Sequence, residues 1–218
     1  ASAAAGTASP GSVLYANSGN YSVSLTVTNA CGPSSSSEPI VVQAAPIVSI
    51  SATEIDLQLC QGNSTVLTAS GANSYTWTAN PTLSTTSGAV TTATPTVTTN
   101  YVVTGYTSAG CPGTQNITIT VDPLPAVSAA ASYEICAGDD VVIGAAVVGG
   151  EAPYTNYAWS PGATLDFTNI PNPTADPLIT TNYGVWVTDN NGCLGYGVVP
   201  VVVNQLPIVD AGPNAQLC

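Results

Sequence analysis

The chain has 218 residues, 44% of them hydrophobic, and carries 12 acidic residues but no lysine, arginine or histidine. This length and apolar content suffice for roughly two domains with cores of ordinary size. A net charge of -12 without any cationic side chain repels phosphate groups and anionic lipid surfaces, which excludes nucleic acid as a partner. Without histidine or lysine, a serine or cysteine nucleophile lacks its usual base, so we expect no enzyme.

The sequence also limits targeting and metal chemistry. No apolar run approaches the roughly 18 residues of a membrane span, and no basic segment precedes an apolar stretch as in a signal peptide. We therefore expect a mature or internal segment that does not insert into a membrane by itself. Six cysteines, with no histidine and no short CxxC spacing, favour disulfides in an oxidising compartment over a zinc site.

A repeat of about 80 residues organises the chain. Tyr21, Tyr101 and Tyr183 each follow an asparagine, and their spacing is 80 (101 - 21) and 82 (183 - 101) residues. A cysteine comes ten residues after each of these tyrosines, at positions 31, 111 and 193. Trp77 in "NSYTW" and Trp159 in "TNYAW" are also 82 residues apart. Equivalent residues therefore recur at equivalent places.

The starts of the repeats are marked by prolines. Pro46, Pro125 and Pro207 each precede a short apolar run, and "QLC" at 216–218 reproduces the phrase at 58–60. The chain is then predicted to contain four segments: 1–45, the C-terminal part of one repeat; 46–124 and 125–206, two complete repeats; and 207–218, the start of a further repeat. We expect the parent protein to be longer.

Within each repeat the residue pattern is that of β-strands. In "YSVSLTV" apolar and polar residues alternate with a period of two, which places one face of a strand on a core. The inward residues of the last strand are predicted to be Val199, Val201 and Val203, with Pro200 between them favouring an edge strand or a bulge. Ala-Gly at 109–110 and Asn-Gly at 191–192 predict hairpin turns before that strand. About seven short strands per repeat, without a helix, predict an all-β antiparallel sandwich.

The recurring aromatic residues are interpreted as structural. Tyr21, Tyr101 and Tyr183 begin the penultimate strand of each repeat, as in the tyrosine corner of immunoglobulin-like sandwiches, where the hydroxyl returns to nearby backbone. Trp77 and Trp159 occupy the place of the core tryptophan of that architecture. Trp186 is out of phase with its apolar neighbours and should face outward, toward solvent, a neighbouring repeat or a ligand.

The sequence resembles a known class of surface protein. "SGNYSVSLTVTNACG" resembles the closing strands of PKD-like domains, and the pattern C-x-G…Y-x-W…T-T-N-Y…G-C resembles Ig-like repeats of very long cell-surface adhesins of Bacteroidota, including gliding-motility adhesins exported by type IX secretion. The resemblance covers essentially the whole chain. It implies an extracellular location and a stalk or adhesive role, with neighbouring repeats of the same chain and an unidentified surface or glycan ligand as partners.

The six cysteines admit three periodic pairings. One pairs cysteines within a repeat, as Cys60 with Cys111 and Cys136 with Cys193; a second pairs consecutive cysteines, as Cys31 with Cys60, Cys111 with Cys136, and Cys193 with Cys218; the third joins Cys60 to Cys193 across two repeats. Opposite ends of a sandwich lie about 30 Å apart, whereas bonded cysteines need Cα atoms within about 7 Å. This geometry favours the third pairing, with pairing within a repeat and free thiols as the alternatives.

Calcium is the only cofactor that the sequence suggests. Oxygen-rich junctions bind calcium in many extracellular arrays. The candidate ligands are acidic residues in predicted turns and linkers: Asp122, Asp139, Asp140, Glu151 and Asp189. Their spacing matches no standard calcium loop, and solvated turn acids are the alternative interpretation.

These observations predict a non-catalytic stalk or adhesive region of a very long extracellular adhesin, built to extend and stiffen the molecule. Two alternatives stay open: spacer modules of a secreted multi-domain polysaccharide hydrolase, and a subunit of a surface filament. A flanking catalytic domain would favour the first alternative, and repeating lateral contacts between chains would favour the second.

Overall fold

The fold is built from β-strands. The structure is a computed structural model that describes residues 15–210 and residue 212. Seventeen strands and no helix occur in these residues. The same part of the chain accordingly contains no helix capable of crossing a membrane.

The strands fall into an opening hairpin and two series. The hairpin consists of β1 (Gly19–Asn29) and β2 (Gly32–Val42). The first series comprises β3 (Ser49–Ala52), β4 (Gln58–Cys60), β5 (Thr65–Ser70), β6 (Ser74–Trp77), β7 (Val90–Ala93), β8 (Thr99–Tyr106) and β9 (Pro112–Asp122). The second comprises β10 (Ala126–Ala129), β11 (Tyr133–Cys136), β12 (Val141–Val142), β13 (Ala145–Val148), β14 (Asn156–Ser160), β15 (Thr174–Ala175), β16 (Thr181–Thr188) and β17 (Leu194–Asn204).

The two series repeat one plan of strand pairing. Their larger sheets have the orders β4-β9-β8-β6 and β11-β17-β16-β14. In each sheet the short edge strand, β4 or β11, runs parallel to the last strand of its series, β9 or β17. The remaining strands pair as β3-β5-β7 in the first series and as β10-β13 and β12-β15 in the second. A sheet in which the last two strands are neighbours and a mid-repeat strand flanks them is the CFG arrangement of immunoglobulin-like sandwiches. The predicted all-β, Ig-like sandwich class is confirmed.

Contacts divide the chain into two compact units. Unit 1 comprises the residues up to Thr53 together with Thr65–Ala93 and Asn100–Thr118, and unit 2 comprises Glu54–Ser64, Thr94–Thr99 and the residues from Ile119 onward. The predicted repeat 46–124 therefore contributes segments to both units. Its boundaries, and those of the other three predicted segments, stay a prediction.

The core of unit 2 is formed by the inward residues of its long strands. Tyr183, Val185 and Val187 of β16 are fully buried, and they alternate with exposed or half-buried residues. Val199 and Val201 of β17 are also fully buried, and Val203 is 7% exposed, which confirms the predicted inward face. Trp159, Ile135, Ile143 and Ala175 complete the same cluster.

Unit 1 buries an equivalent set of side chains. Trp77, Tyr101 and Val103 are buried with Leu67 and Ala93. The hairpin β1–β2 differs, because its residues Val23, Leu25 and Val27 are 45%, 66% and 53% exposed although they have the same alternating pattern. Alternation in sequence thus marks an apolar face, which among residues 15–210 is buried in the two series but not in this hairpin.

Two glycines let β10, the first strand of the second series, approach β17 closely. Gly195 and Gly197 lie on the inward face of β17, and a Cβ atom on either would collide with the backbone of Pro125 or Val127. The predicted repeat start at Pro125 therefore lies against the closing strand of its own sandwich.

We predict that Val201→Ala lowers the free energy of unfolding of unit 2 by about 2 kcal/mol, because it removes two buried methyl groups and leaves a cavity. The matched control is Val202→Ala on the same strand, whose side chain is 43% exposed and whose loss should change stability by less than about 0.5 kcal/mol. Chemical denaturation followed by tryptophan fluorescence measures both. Equal effects would contradict the assigned inward face of β17.

Candidate functional site

One disulfide joins distant parts of the sequence. Cys60 and Cys193 are bonded, with Cα atoms 5.4 Å apart and a sequence separation of 133 residues. Both cysteines belong to unit 2. This is the cross-repeat pairing that geometry favoured, since Cys60 lies in the predicted repeat 46–124 and Cys193 in the predicted repeat 125–206. In the chain-entropy description, closing a loop of this length lowers the entropy of the unfolded chain and thereby stabilises the folded state by about 5 kcal/mol.

Cys193 is held by the closing hairpin of unit 2. The turn between β16 and β17 contains Gly192 with φ 82°, a left-handed conformation that suits glycine, so the predicted Asn-Gly turn is confirmed. Asp189 closes the turn from inside: its Oδ1 accepts hydrogen bonds from the backbone amides of Cys193 at 2.8 Å and Asn191 at 3.0 Å. Its Oδ2 accepts the amide of Glu151 at 3.0 Å. The orientation of Cys193 is therefore fixed by a buried carboxylate.

Cys60 is held at the end of a short strand. Strand β4 pairs in parallel with β9, and Cys60 lies opposite Asp122. The amide of Gln61 donates to the carbonyl of Asp122 at 2.9 Å, and the amide of Asn63 donates to the carbonyl of Cys60 at 3.0 Å. The chain therefore turns directly after Cys60, which leaves the thiol at a strand end where a second segment can reach it.

The other cysteines are not bonded in the part of the chain that the structure describes. Cys31 and Cys136 are exposed free thiols, and Cys111 is a half-buried free thiol. Cys218 lies outside the described residues. Neither pairing within a repeat nor pairing of consecutive cysteines occurs among the described residues, because Cys60 and Cys193 are bonded to each other and Cys111 and Cys136 are both free.

The recurring tyrosines differ in their hydrogen bonds. The hydroxyl of Tyr21 donates to the backbone carbonyl of Asn17 at 2.9 Å, four residues upstream. Tyr101 and Tyr183 do not return to nearby backbone, and this expectation is corrected: their hydroxyls bond the side chains of Thr82 at 2.6 Å and Thr164 at 2.5 Å. A threonine 19 residues before each tyrosine, followed by leucine in both repeats, is the sequence signal that could have located this partner.

The two core tryptophans have equivalent surroundings. Each is 4% exposed. The indole Nε1 of Trp77 donates to the carbonyl of Gly88 at 3.1 Å, and that of Trp159 donates to the carbonyl of Ile170 at 2.8 Å; both acceptors lie eleven residues further along the chain. Each indole thus satisfies its only donor inside the core, as buried polar groups generally must.

Burial also changes the acidity of one core residue. Desolvation raises the pKa of Tyr183 above its ordinary value of 10.0; the hydrogen bond from Thr164 opposes the rise and the nearby Asp176 carboxylate adds to it. Tyr183 therefore stays protonated well into the alkaline range, and its hydroxyl can keep sharing a hydrogen bond with Thr164.

The predicted calcium ligands do not form one site. Asp139 and Asp140 are exposed in the turn after β11, Asp122 is half-buried at the end of β9, and Glu151 is exposed beside the hairpin that contains Asp189. Among residues 15–210 and 212, no group of three or more acidic, cysteine or histidine side chains is arranged to hold a metal ion. Asp189, predicted as a ligand, instead accepts three backbone hydrogen bonds.

Trp186 lies on the outer face of the second series. It is 49% exposed and forms a tilted ring pair with Tyr196, 51% exposed, at a centroid distance of 4.7 Å. These residues are directly opposite on β16 and β17. The positions 82 residues earlier hold Thr104 and Thr114. The corresponding sheet of the first series thus forms with threonine in both places.

Comparisons with known proteins return only distant structural likenesses. No family model matches the chain, and no curated protein matches it. A crystal structure of the insect immune protein hemolin is 18% identical over 84% of this chain, with a TM-score of 0.40, and the chain spans 56% of that protein's length. A structure of a 1.5-MDa bacterial ice-binding adhesin is 17% identical, covering 86% of this chain and 75% of that one, with a TM-score of 0.39. The Ig-like class therefore rests on the strand pairing described above.

We predict that Asp189→Ala lowers the free energy of unfolding by about 3 kcal/mol, because three backbone amides lose a buried charged acceptor. Asp139→Ala, which removes an exposed turn carboxylate, is the matched control and should change stability by less than about 0.5 kcal/mol. Urea denaturation of the oxidised chain measures both. A neutral Asp189→Ala would show that the hairpin does not need its carboxylate.

We further predict that the double variant Trp186→Thr with Tyr196→Thr folds normally and loses at most about 1 kcal/mol of stability, the worth of a cross-strand aromatic pair. Thermal denaturation followed by circular dichroism tests this. As a control, Trp159→Thr, which changes the buried tryptophan, should lose more than about 3 kcal/mol. Unfolding of the double variant would assign the exposed pair to the fold itself.

Proposed function

We propose that this chain is a non-catalytic, tension-bearing segment of a very long extracellular surface adhesin built from tandem sandwich repeats, with boundaries at 46–124 and 125–206. The observation that supports this proposal is the Cys60–Cys193 disulfide, which connects the two predicted repeats through their folded parts. Disulfides persist in oxidising compartments outside the cytosol, in agreement with an extracellular location.

The disulfide changes the path that a pulling force takes along the chain. Without it, a force on the two ends passes through every residue between positions 60 and 193. With it, the force passes from Cys60 to Cys193 through one covalent bond, and the loop between them, which contains β5 to β16, is not under load. A segment whose role is to transmit tension gains from this arrangement, whereas a segment that only separates two domains does not need it.

The composition supports the same role. The chain has no lysine or arginine, so it offers no site to trypsin-like proteases, and its net charge of -12 opposes collapse onto other acidic surfaces. The proposal includes the finer identity that the sequence resemblance implies. The chain is then part of a type IX-secreted gliding adhesin of Bacteroidota, with PKD-like closing strands at residues 1–45. A spacer array in a polysaccharide hydrolase and a lateral filament are the alternatives, and a catalytic domain or lateral contacts in the parent protein would favour them.

We predict that the oxidised chain, pulled from its two ends by single-molecule force spectroscopy, does not release the segment between Cys60 and Cys193. Reduction with dithiothreitol should add about 450 Å of contour length, because 133 residues then extend at about 3.4 Å each. The double variant Cys60→Ser with Cys193→Ser is the control and should show the longer contour under both conditions. Identical contour lengths for the natural chain before and after reduction would contradict a tension-bearing disulfide.

A further inference from the structure

Cys136 has the same backbone setting as the bonded Cys60. Each ends a short strand that pairs in parallel with the closing strand of its series: Cys60 lies opposite Asp122 and Cys136 opposite Asn204. The amide after Cys136 donates to the carbonyl of Asn204 at 2.9 Å, and the amide of Asp139 donates to the carbonyl of Cys136 at 3.0 Å. The corresponding bonds at Cys60 have the same lengths.

Cys111 has the same setting as the bonded Cys193. In both hairpins the amide of the residue four positions earlier donates to the cysteine carbonyl at 3.0 Å. The cysteine amide donates back to that residue's side chain, to Thr107 Oγ1 at 3.1 Å for Cys111 and to Asp189 Oδ1 at 2.8 Å for Cys193. Gly110 and Gly192 both have φ 82°. The described residues therefore contain one bonded pair and free copies of both halves: Cys136 for the strand end, and Cys111 and Cys31 for the hairpin.

A separate observation concerns the apolar residues just after Leu206. Leu206-Pro207 repeats the dipeptide Leu124-Pro125, after which Val127 packs over the closing strand of unit 2 at Gly197. The residues at the corresponding positions after Pro207 are Ile208 and Val209, which are 98% and 87% exposed. Val209 is thus exposed, whereas its counterparts Val48 and Val127 are buried and half-buried; Ile208 is exposed like its counterparts Ile47 and Ala126.

From these observations, and resting on the proposed function, we propose that Cys136 forms a disulfide with the closing-hairpin cysteine of a further repeat placed after Leu206. In the equivalent bond to a preceding repeat, Cys111 is the hairpin cysteine and its partner is the strand-end cysteine of that repeat. The partner of Cys136 is a cysteine in a closing hairpin whose sequence resembles the hairpin that contains Cys111 or Cys193. Loops closed in this way overlap, because the loop from Cys136 begins inside the loop from Cys60 to Cys193.

The bond forms by thiol–disulfide exchange. One thiolate attacks glutathione disulfide and releases one glutathione; the second thiolate then attacks the mixed disulfide and releases the other. Two cysteine thiols and one glutathione disulfide thus give one protein disulfide and two reduced glutathione molecules. The free thiol of Cys136 is exposed and so is open to this reaction.

The test inserts a second copy of residues 46–124 directly after Leu206 of the full chain. The insertion creates a Leu-Pro junction at each end, like those at 124–125 and 206–207. Serine replaces every cysteine except Cys60, Cys136, Cys193 and the inserted copy of Cys111. After refolding in a glutathione buffer, free thiols are alkylated, and an aspartate-specific protease with mass spectrometry identifies the linked peptides.

The expected result is a Cys136 peptide linked to the inserted Cys111 peptide, with alkylation of Cys136 reduced about ten-fold relative to the same protein with the inserted Cys111 also changed to serine. Free, alkylated Cys136 in the folded protein would overturn the inference. In that case an intact Cys60–Cys193 bond would leave the proposed function standing, whereas loss of that bond in the natural chain would remove the proposed function itself. If circular dichroism shows that the inserted copy does not fold, a second protein tests the inference. It carries an insertion of residues 125–206 at the same junction, with Cys193 of the copy as the partner of Cys136.

Discussion

The fold depends on burying one tyrosine and one tryptophan in each sandwich with every polar atom bonded. Tyr183 is fully buried and shares a hydrogen bond with Thr164, and the Trp159 indole donates to the carbonyl of Ile170. An unpaired hydroxyl or indole donor in such a core would cost about 1 to 3 kcal/mol. Tyr101 and Trp77 meet the same demand with partners at the same sequence distances. The aromatic side chains thus fix where the penultimate strand begins, and with it the hairpin that positions each cysteine.

The closing hairpin and the short parallel strand are the two elements that position the bonded cysteines. The hairpin holds Cys193 through a buried Asp189, and the strand end holds Cys60 opposite Asp122. Cys193 is fully buried and Cys60 is half-buried, and neither belongs to the cluster around Trp159 and Tyr183. The sandwich therefore supplies rigid positions, while the covalent bond supplies the connection along the chain.

The sequence predicted the parts of this structure that have local signals. A period of two located the inward valines of β17, and Asn-Gly located the turn before Cys193. Pro200 suggested an edge strand or bulge; β17 is instead an inner strand of its sheet, and Pro200 lies just before Val201, where β11 begins to pair with it. The Thr164 partner of Tyr183 was missed because it is 19 residues away. Asp189 was predicted as a calcium ligand or a solvated turn acid, and no local signal indicated its burial or its three backbone hydrogen bonds. Which acids are buried depends on how distant segments meet, and no local pattern encodes that.

The Cys60–Cys193 bond also bears on damage to the chain. If a protease or an oxidant breaks one peptide bond anywhere between residues 61 and 192, the two pieces remain attached through the disulfide. After such a cut, these two pieces separate only when the disulfide is broken as well. An extracellular protein exposed to hydrolysis, and unable to be repaired once exported, would in this way survive single cuts that would part an uncrosslinked chain.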